Sequence, residues 1–370
     1  MCKFFVNLSV KNLLNAFFYC KIIVIVFGGI MDGIQITEPK KLSAISKTEN
    51  FDSIDSAKVI ITKALLLRED FITFLGDERA VYPVIPARIG IGKISAVSAG
   101  DNSGFERGNR VFPHPETACG KCFECFQGDK NNCSDFNIAG KNADGFLRDF
   151  VVLENEDISL LPPSVNDYTA LFIDHVAMCD KVIDQIKLSK GEYVVIVGGD
   201  VLGIFMAQLA MYYQAVPILV DNNQKNIEYA KRAGVYYTLF ADNKLEKSVA
   251  ELTGARLAKK VVYMTGSNLN SDIALKLAGE HATVCFAGFG TPSLRVNFNI
   301  ALIKQLNFIC VTNGYGNIDS AINLLSNGAC NPTLFNIPTV KQTQAMEKIK
   351  EMASTLNYDA ESGMLIVDIL

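Results

Sequence analysis

Apolar and polar positions follow two different rhythms along this chain, and the change falls near Tyr168. Before it, short β-branched runs such as Val59-Ile60-Ile61-Thr62 are separated by polar turns. From Val84 to Val97, apolar residues alternate with Gly90, Gly92 and polar positions, which predicts a strand with a close backbone approach. Arg110-Val111-Phe112 and Phe150-Val151-Val152-Leu153 predict further strands, and Leu160-Leu161-Pro162-Pro163 ends the latter stretch. Between them lies a loop rich in Cys, Gly and Asn, from Pro113 to Asn142. The first half is therefore mostly β.

Beyond Tyr168 the pattern predicts a helix over 169–187, then a buried strand, Tyr193-Val194-Val195-Ile196-Val197. An apolar helix from Val201 to Tyr213, a strand at Pro217–Val220 and an amphipathic helix from Asn223 to Ala233 follow. The alternation runs on through Lys260–Met264, Ile273–Ala278, Thr283–Ala287, Ile300–Leu306, Phe308–Thr312 and Ser320–Leu325. Strands alternating with helices of this length predict βαβ units and a parallel, doubly wound sheet. Residues 331–370 are polar and mixed and do not extend that pattern.

The first thirty residues carry Lys3, Lys11 and Lys21 and no acidic residue. As a transmembrane anchor, Leu13–Met31 would place Lys21 at its centre, at a cost of about 2.5–3.5 kcal/mol. As a secretory signal, the same lysine splits the apolar region and no small-residue cleavage site follows. Gly28-Gly29-Ile30-Met31 instead reads as a translated purine-rich ribosome-binding site just ahead of a start codon. On this reading 1–30 is a non-native leader, the protein starts at Met31, and it is cytoplasmic with no membrane partner.

Composition narrows the function. With 370 residues, 49% apolar and 20% charged, the chain is globular and long enough for two domains. A net charge of -4 gives no electrostatic reason to expect nucleic acid as a partner. Ten Cys are too sparse for a disulfide scaffold, so their spacing decides their role. Three His (His114, His175 and His281) leave little for imidazole catalysis or a multi-histidine metal site, and they read as surface or capping residues.

Cys119, Cys122, Cys125 and Cys133 have the spacing C-x2-C-x2-C-x7-C, with Gly120 and Gly128 supplying turns. Four thiolates so close together can surround one Zn²⁺ tetrahedrally, and a site filled by four protein ligands is structural. The alternatives are two disulfides, disfavoured in a reducing compartment, and an iron–sulfur cluster, which usually shows another spacing. The metal would order a loop too poor in apolar side chains to order itself.

A second motif, Gly198-Gly199-Asp200-Val201-Leu202-Gly203, lies between a strand and a helix, and Asp221 ends the next strand. Strand, Gly-rich turn, helix, strand and carboxylate together point to a dinucleotide site, with Asp221 accepting the ribose hydroxyls of NAD and repelling the 2′-phosphate of NADP. Asp200 replaces the glycine where the backbone approaches the pyrophosphate most closely. A carboxylate there is a good helix N-cap, but it competes with the diphosphate for the same amides. Weakened cofactor affinity is the expectation.

Together, the Cys119–Cys133 loop, Gly108-Asn109-Arg110-Val111, Gly145-Phe146 and the 193–221 unit resemble the medium-chain dehydrogenase/reductase superfamily, in its zinc-containing alcohol dehydrogenase branch. The resemblance covers about 34–370. It implies an α/β protein with a GroES-like β-rich domain at 31–175, a Rossmann doubly wound parallel-sheet domain at 176–318, and a return to the first domain at 319–370. It also implies a small-molecule substrate, a homodimer or homotetramer, and Gly266 among the NAD(H)-binding residues.

The family further implies a catalytic zinc, and here the chain departs. The positions aligned with its Cys and His ligands are Leu67 and Arg88, leaving Asp174 as the remaining donor. The proton-relay positions are Glu69 and Ile72. Arginine has no lone pair to offer a metal, so a catalytic metal is not expected. Instead Arg88, oriented by Asp70 in a bidentate pair and by Asp174, would polarise a carbonyl or bind a carboxylate or phosphate, with Glu69 the nearest acid/base group. The competing reading is a buried salt bridge plugging a defunct site. The expected function is NAD(H)-linked hydride transfer on a small alcohol or carbonyl without catalytic zinc. The alternative is a catalytically silent relative acting as regulator or scaffold.

Overall fold

The computed structural model describes residues 29–51, 55–77, 80–98, 103–289, 294–356 and 363–369. The proposed leader, with Cys2 and Cys20, lies outside the described residues except for Gly29 and Ile30. Those two open the strand Gly29–Glu38, which pairs antiparallel with Lys41–Glu49.

Six strands form the doubly wound sheet in the order Tyr237–Phe240, Val216–Asp221, Tyr193–Val197, Ala258–Met264, Ala278–Ala287, Asn307–Val311, every pair parallel. Its strands are continuous apolar runs because helices cover both faces. Val194 and Ile196 pack with the helices Ile173–Ile186, Val201–Tyr212 and Ile318–Ser326, while Val195 and Val197 pack on the other side with Leu245–Leu252 and Asp272–Leu277. The helix Val201–Tyr212 is buried through its first ten residues, which explains why it is apolar all round.

The β-rich part is a seven-stranded sheet. Its order is Thr339–Lys341, Leu365–Asp368, Ser56–Leu66, Ile89–Val97, Arg110–Pro113 and Ile158–Leu160, with Phe150–Glu154 also paired to Ser56–Leu66. The expected close approach at Gly92 is present: a Cβ there would lie 2.4 Å from Val59 and 2.5 Å from the carbonyl of Ile60. The mixed C-terminal residues supply two strands and the helix Gln342–Ala353, and Leu365–Asp368 pairs antiparallel with Ser56–Leu66.

The helix predicted over 169–187 is divided into Asp167–Ala170 and Ile173–Ile186. Asn166 caps the first piece, and the chain bends at Phe172, which is fully buried, before the second enters the core. The bend places Asp174 in a first helical turn, where the helix dipole favours a carboxylate. Among the described residues no helix is long and apolar enough to cross a membrane.

Candidate functional site

A cavity of about 980 Å³ lies between the two sheets, with Arg68, Glu69, Arg88 and Glu116 on one side and Gly266 and Arg295 on the other. Asp70 also lines it, but its carboxylate is turned to the backbone. It accepts the N–H groups of Leu67 at 2.8 Å, Ala87 at 2.8 Å and Arg88 at 3.4 Å. Ala87 has φ +74°, a left-handed conformation that costs a non-glycine residue about 1–2 kcal/mol. The bonds to Asp70 hold that turn in place. Burial lifts the Asp70 carboxyl to about 7, against the backbone bonds that favour its charge.

This corrects the expectation of a bidentate Arg88–Asp70 pair. Backbone donors occupy Asp70, and the guanidinium turns to two other carboxylates. Arg88 Nε donates to Asp174 Oδ2 at 2.8 Å, and its Nη2 donates to Oε1 of Glu116. Arg88 is only 5% exposed, Glu116 3% and Asp174 0%. The ring of Phe289 lies 4.4 Å from the guanidinium carbon, a cation–π contact that further fixes its plane. Burial opposes the charge on Arg88, but Asp174 and then Glu116 outweigh it and hold the group protonated above its ordinary range.

Two carboxylates facing one cation leave an excess negative charge in a buried cluster. Burial pushes Glu116 up to about 7, partly offset by Arg88, while Asp174 pushes it the same way. The sequence reading missed Glu116. It stands 28 positions from Arg88, which itself stands 86 from Asp174, so no local spacing joins the three. Glu69, at the start of the helix Arg68–Leu75, is half-buried on the cavity wall.

Nor are the histidines all surface or capping groups. His175 is buried against Phe172, Phe205 and Phe289, at ring separations of 5.7, 6.4 and 5.2 Å. Burial, and then the charge of Arg88, lower it to about 3, so it is neutral. Half-buried His114 shares a 2.9 Å hydrogen bond with Ser159, whose hydroxyl donates to Asp319. His281 is exposed.

The four loop cysteines converge. Their sulfurs all lie within 4.8 Å of one another, and Cys122 and Cys133 are 3.9 Å apart. Tetrahedral zinc with Zn–S bonds of about 2.3 Å needs S···S separations of about 3.8 Å, so this donor set fits the ion. Just beyond Cys133, Ser134, Asp135 and Phe136 form part of the cavity wall.

The dinucleotide turn also has the expected frame. Gly198 has φ +109°, and a Cβ on Gly203 would lie 1.9 Å from the carbonyl oxygen of Gly198. Asp221 is buried at the strand end. Its Oδ2 accepts from Gly199 N–H at 2.6 Å and from Asn226 at 3.1 Å, while Oδ1 accepts from Asn223 N–H at 2.7 Å. These residues fit a dinucleotide, with Asp200 as the departure. Its Oδ1 caps the helix Val201–Tyr212 through Gly203 N–H at 2.9 Å, and Oδ2 comes within 2.9 Å of where a Cβ on Gly266 would be. Burial raises Asp200 to about 6, against its bond from Gly203 and with help from Asp221. Gly266 lines the cavity, whereas the 198–203 turn and Asp221 do not.

Two family patterns match the chain, "Alcohol dehydrogenase GroES-like domain" over residues 55–163 and "Zinc-binding dehydrogenase" over residues 201–327. An uncharacterized zinc-type alcohol dehydrogenase-like protein of Haemophilus influenzae is 24% identical over 286 residues, 77% of this chain and 82% of that protein. Sorbitol dehydrogenase of Halalkalibacterium halodurans is 27% identical over 248 residues, 65% of this chain and 71% of its own length. Among solved structures, the alcohol dehydrogenase RspB of Escherichia coli CFT073, complexed with NADH, has a TM-score of 0.80 at 22% identity, covering 92% of this chain and 99% of that one. At that identity the likeness establishes the fold.

Proposed function

The chain belongs to the zinc-type branch of the medium-chain dehydrogenase/reductase superfamily, and on that premise we propose that it is an NAD(H)-linked oxidoreductase in which Arg88, in place of a catalytic zinc, holds the substrate oxygen. One observation carries the reading: a buried arginine, clamped by two carboxylates, lines the cavity at the position aligned with a family metal ligand. Its Nη1 has no hydrogen-bond partner among the described residues, which leaves a donor for an alcohol or carbonyl oxygen.

When bound, the nicotinamide supplies the hydride acceptor or donor. The protein's own residues position and polarise. Asp174 fixes the guanidinium through Nε, Asp70 holds the Ala87–Arg88 turn, and Glu69 stands at the relay position. Cys119, Cys122, Cys125 and Cys133 would hold one structural zinc. Gly198–Gly203, Asp221 and Gly266 would receive the dinucleotide. The substrate is a small alcohol or carbonyl compound, the setting the reducing cytoplasm, and the assembly a homodimer or homotetramer.

The test combines metal analysis, NADH titration by fluorescence, and turnover. About one zinc per chain, micromolar NADH binding and loss of turnover in Arg88→Ala are expected. A second zinc, or Arg88→Ala that leaves turnover and binding unchanged, overturns the proposed role. The Asp200 carboxylate on the helix amide favours a second reading, a catalytically silent regulator or scaffold. That reading predicts no NADH binding by the wild type, with Asp200→Gly restoring it.

A further inference from the structure

The cavity is lined by five acidic residues, Glu69, Asp70, Asp77, Glu116 and Asp135, and four of them are poorly placed to exchange a proton with an oxygen held by Arg88. Asp70 is occupied by three backbone N–H groups. Asp77 faces Lys141, and exposed Asp135 faces Lys121. Glu69 has no hydrogen bond to Arg88 among the described residues and no bond that holds its carboxylate in one place. Glu116 differs from all four. Arg88 Nη2 holds its Oε1, and Oε2 has no hydrogen-bond partner among the described residues, although the residue is almost wholly buried and lines the cavity. The free oxygen of Glu116 and the free nitrogen of Arg88 therefore belong to one clamped pair on the cavity wall.

We propose that Oε2 of Glu116, rather than Glu69, exchanges the proton with the substrate oxygen held by Arg88. The proposal rests on the oxidoreductase reading. In the oxidative direction the substrate hydroxyl gives its proton to Oε2, its carbinol carbon loses hydride to an oxidised nicotinamide, and the O–H electron pair becomes the second C–O bond. In the reductive direction the protonated Glu116 returns that proton to the carbonyl oxygen as reduced nicotinamide delivers hydride to carbon. The groups that act on Glu116 are Arg88 before the strand Ile89–Val97, and Asp174 and Lys181 on the helix Ile173–Ile186. Burial and Asp174 bring its proton affinity to about 7, against Arg88 and Lys181, which suits a group that must take and return a proton near neutrality. With that sign, carbonyl reduction falls as pH rises through about 7 and alcohol oxidation rises.

The test uses the full chain and the variants Glu116→Gln and Glu69→Gln. Glutamine keeps an oxygen for Arg88 Nη2 but cannot carry the proton. Infrared difference spectra of the wild type without substrate should show carboxyl absorption that disappears as pH rises through about 7, with a share from Asp70 that every variant keeps and a share from Glu116 that only Glu116→Gln loses. With NADH and the probes glyceraldehyde and dihydroxyacetone, Glu116→Gln should lose about 100-fold or more in kcat, together with the pH limb near 7. NADH binding should be unchanged, and Glu69→Gln should keep the limb near 7. Carboxyl absorption unchanged in Glu116→Gln, or a Glu116→Gln enzyme with wild-type rate and limb, overturns the role and leaves the oxidoreductase reading standing. A wild type that binds NADH and reduces neither probe overturns that reading and the role with it.

Discussion

Asp200 puts a carboxylate where the dinucleotide fold ordinarily leaves room for an anion. It stands over the amide of Gly203 and shares the region with Asp221. A bound diphosphate would raise its proton affinity further, so binding should take up a proton. NADH affinity is therefore expected to fall as pH rises above about 6, and Asp200→Asn should flatten that dependence in a fluorescence titration. Asp200→Gly should tighten NADH by about tenfold, equivalent to about 1.4 kcal/mol; an unchanged Kd refutes the competition. The Arg88 cluster makes a second prediction. Arg88→Met leaves Glu116 and Asp174 buried without their cation, at a cost of about 3–5 kcal/mol when both are ionised. Unfolded Glu116 keeps its ordinary proton affinity, whereas folded Glu116 is raised by burial and loses the opposing charge of Arg88. The variant should therefore lose stability as pH rises from about 4.5 through 7, measurable as a Tm difference from wild type that widens with pH. The residue types at 88, 174 and 200 were legible in the sequence. So were the Arg88–Asp174 pairing and the Asp200 cap, whereas Glu116 was not, because it meets Arg88 only when strand and loop fold together.

At the scale of elements, the cysteine loop does more than close on itself. Phe136 packs on Tyr315 with ring centroids 4.9 Å apart, and Asn131 abuts Gly316, whose Cβ would lie 2.5 Å from the side-chain oxygen. Asn313, in the same segment, lines the cavity with Phe136. The loop thus ties the four-cysteine cluster to the cavity wall through the chain that follows the edge strand Asn307–Val311. Treatment with a mercurial and a chelator should release about one zinc per chain and lower Tm by about 5 °C or more. It should also open 119–138 to limited proteolysis. Release of zinc with unchanged proteolysis would show that the loop orders itself. The four-thiolate spacing was legible because its ligands are local in sequence, whereas its contact with 313–316 joins residues nearly 180 positions apart.

At the scale of the molecule, the parallel sheet ends on Asn307–Val311, an edge with no further strand beside it among the described residues. Beside it, Phe298, Leu302 and Ile303 are 64–81% exposed, and Phe308 is partly exposed. An apolar edge of this kind is a template for pairing with a second strand, in keeping with the proposed homodimer. Ile303→Glu should shift the mass measured by light scattering toward the monomer while leaving the circular dichroism spectrum unchanged. An unaltered assembly places the interface elsewhere.

The sequence by itself determined the two folding patterns, the thiolate cluster and the dinucleotide turn. Each is encoded over a short stretch: strand and helix periods, a cysteine spacing, a glycine turn that tolerates no Cβ at Gly203. The separation of Asp167–Ala170 from Ile173–Ile186, the burial of His175 and the exchange of Asp70 for Glu116 as the partner of Arg88 beside Asp174 were decided only by tertiary structure. The physical reason is competition for partners. Asp70 has a fixed number of lone pairs, and three backbone N–H groups brought together by the fold take them first. The guanidinium then pairs with whichever carboxylates the fold has buried beside it, a choice that no local spacing expresses.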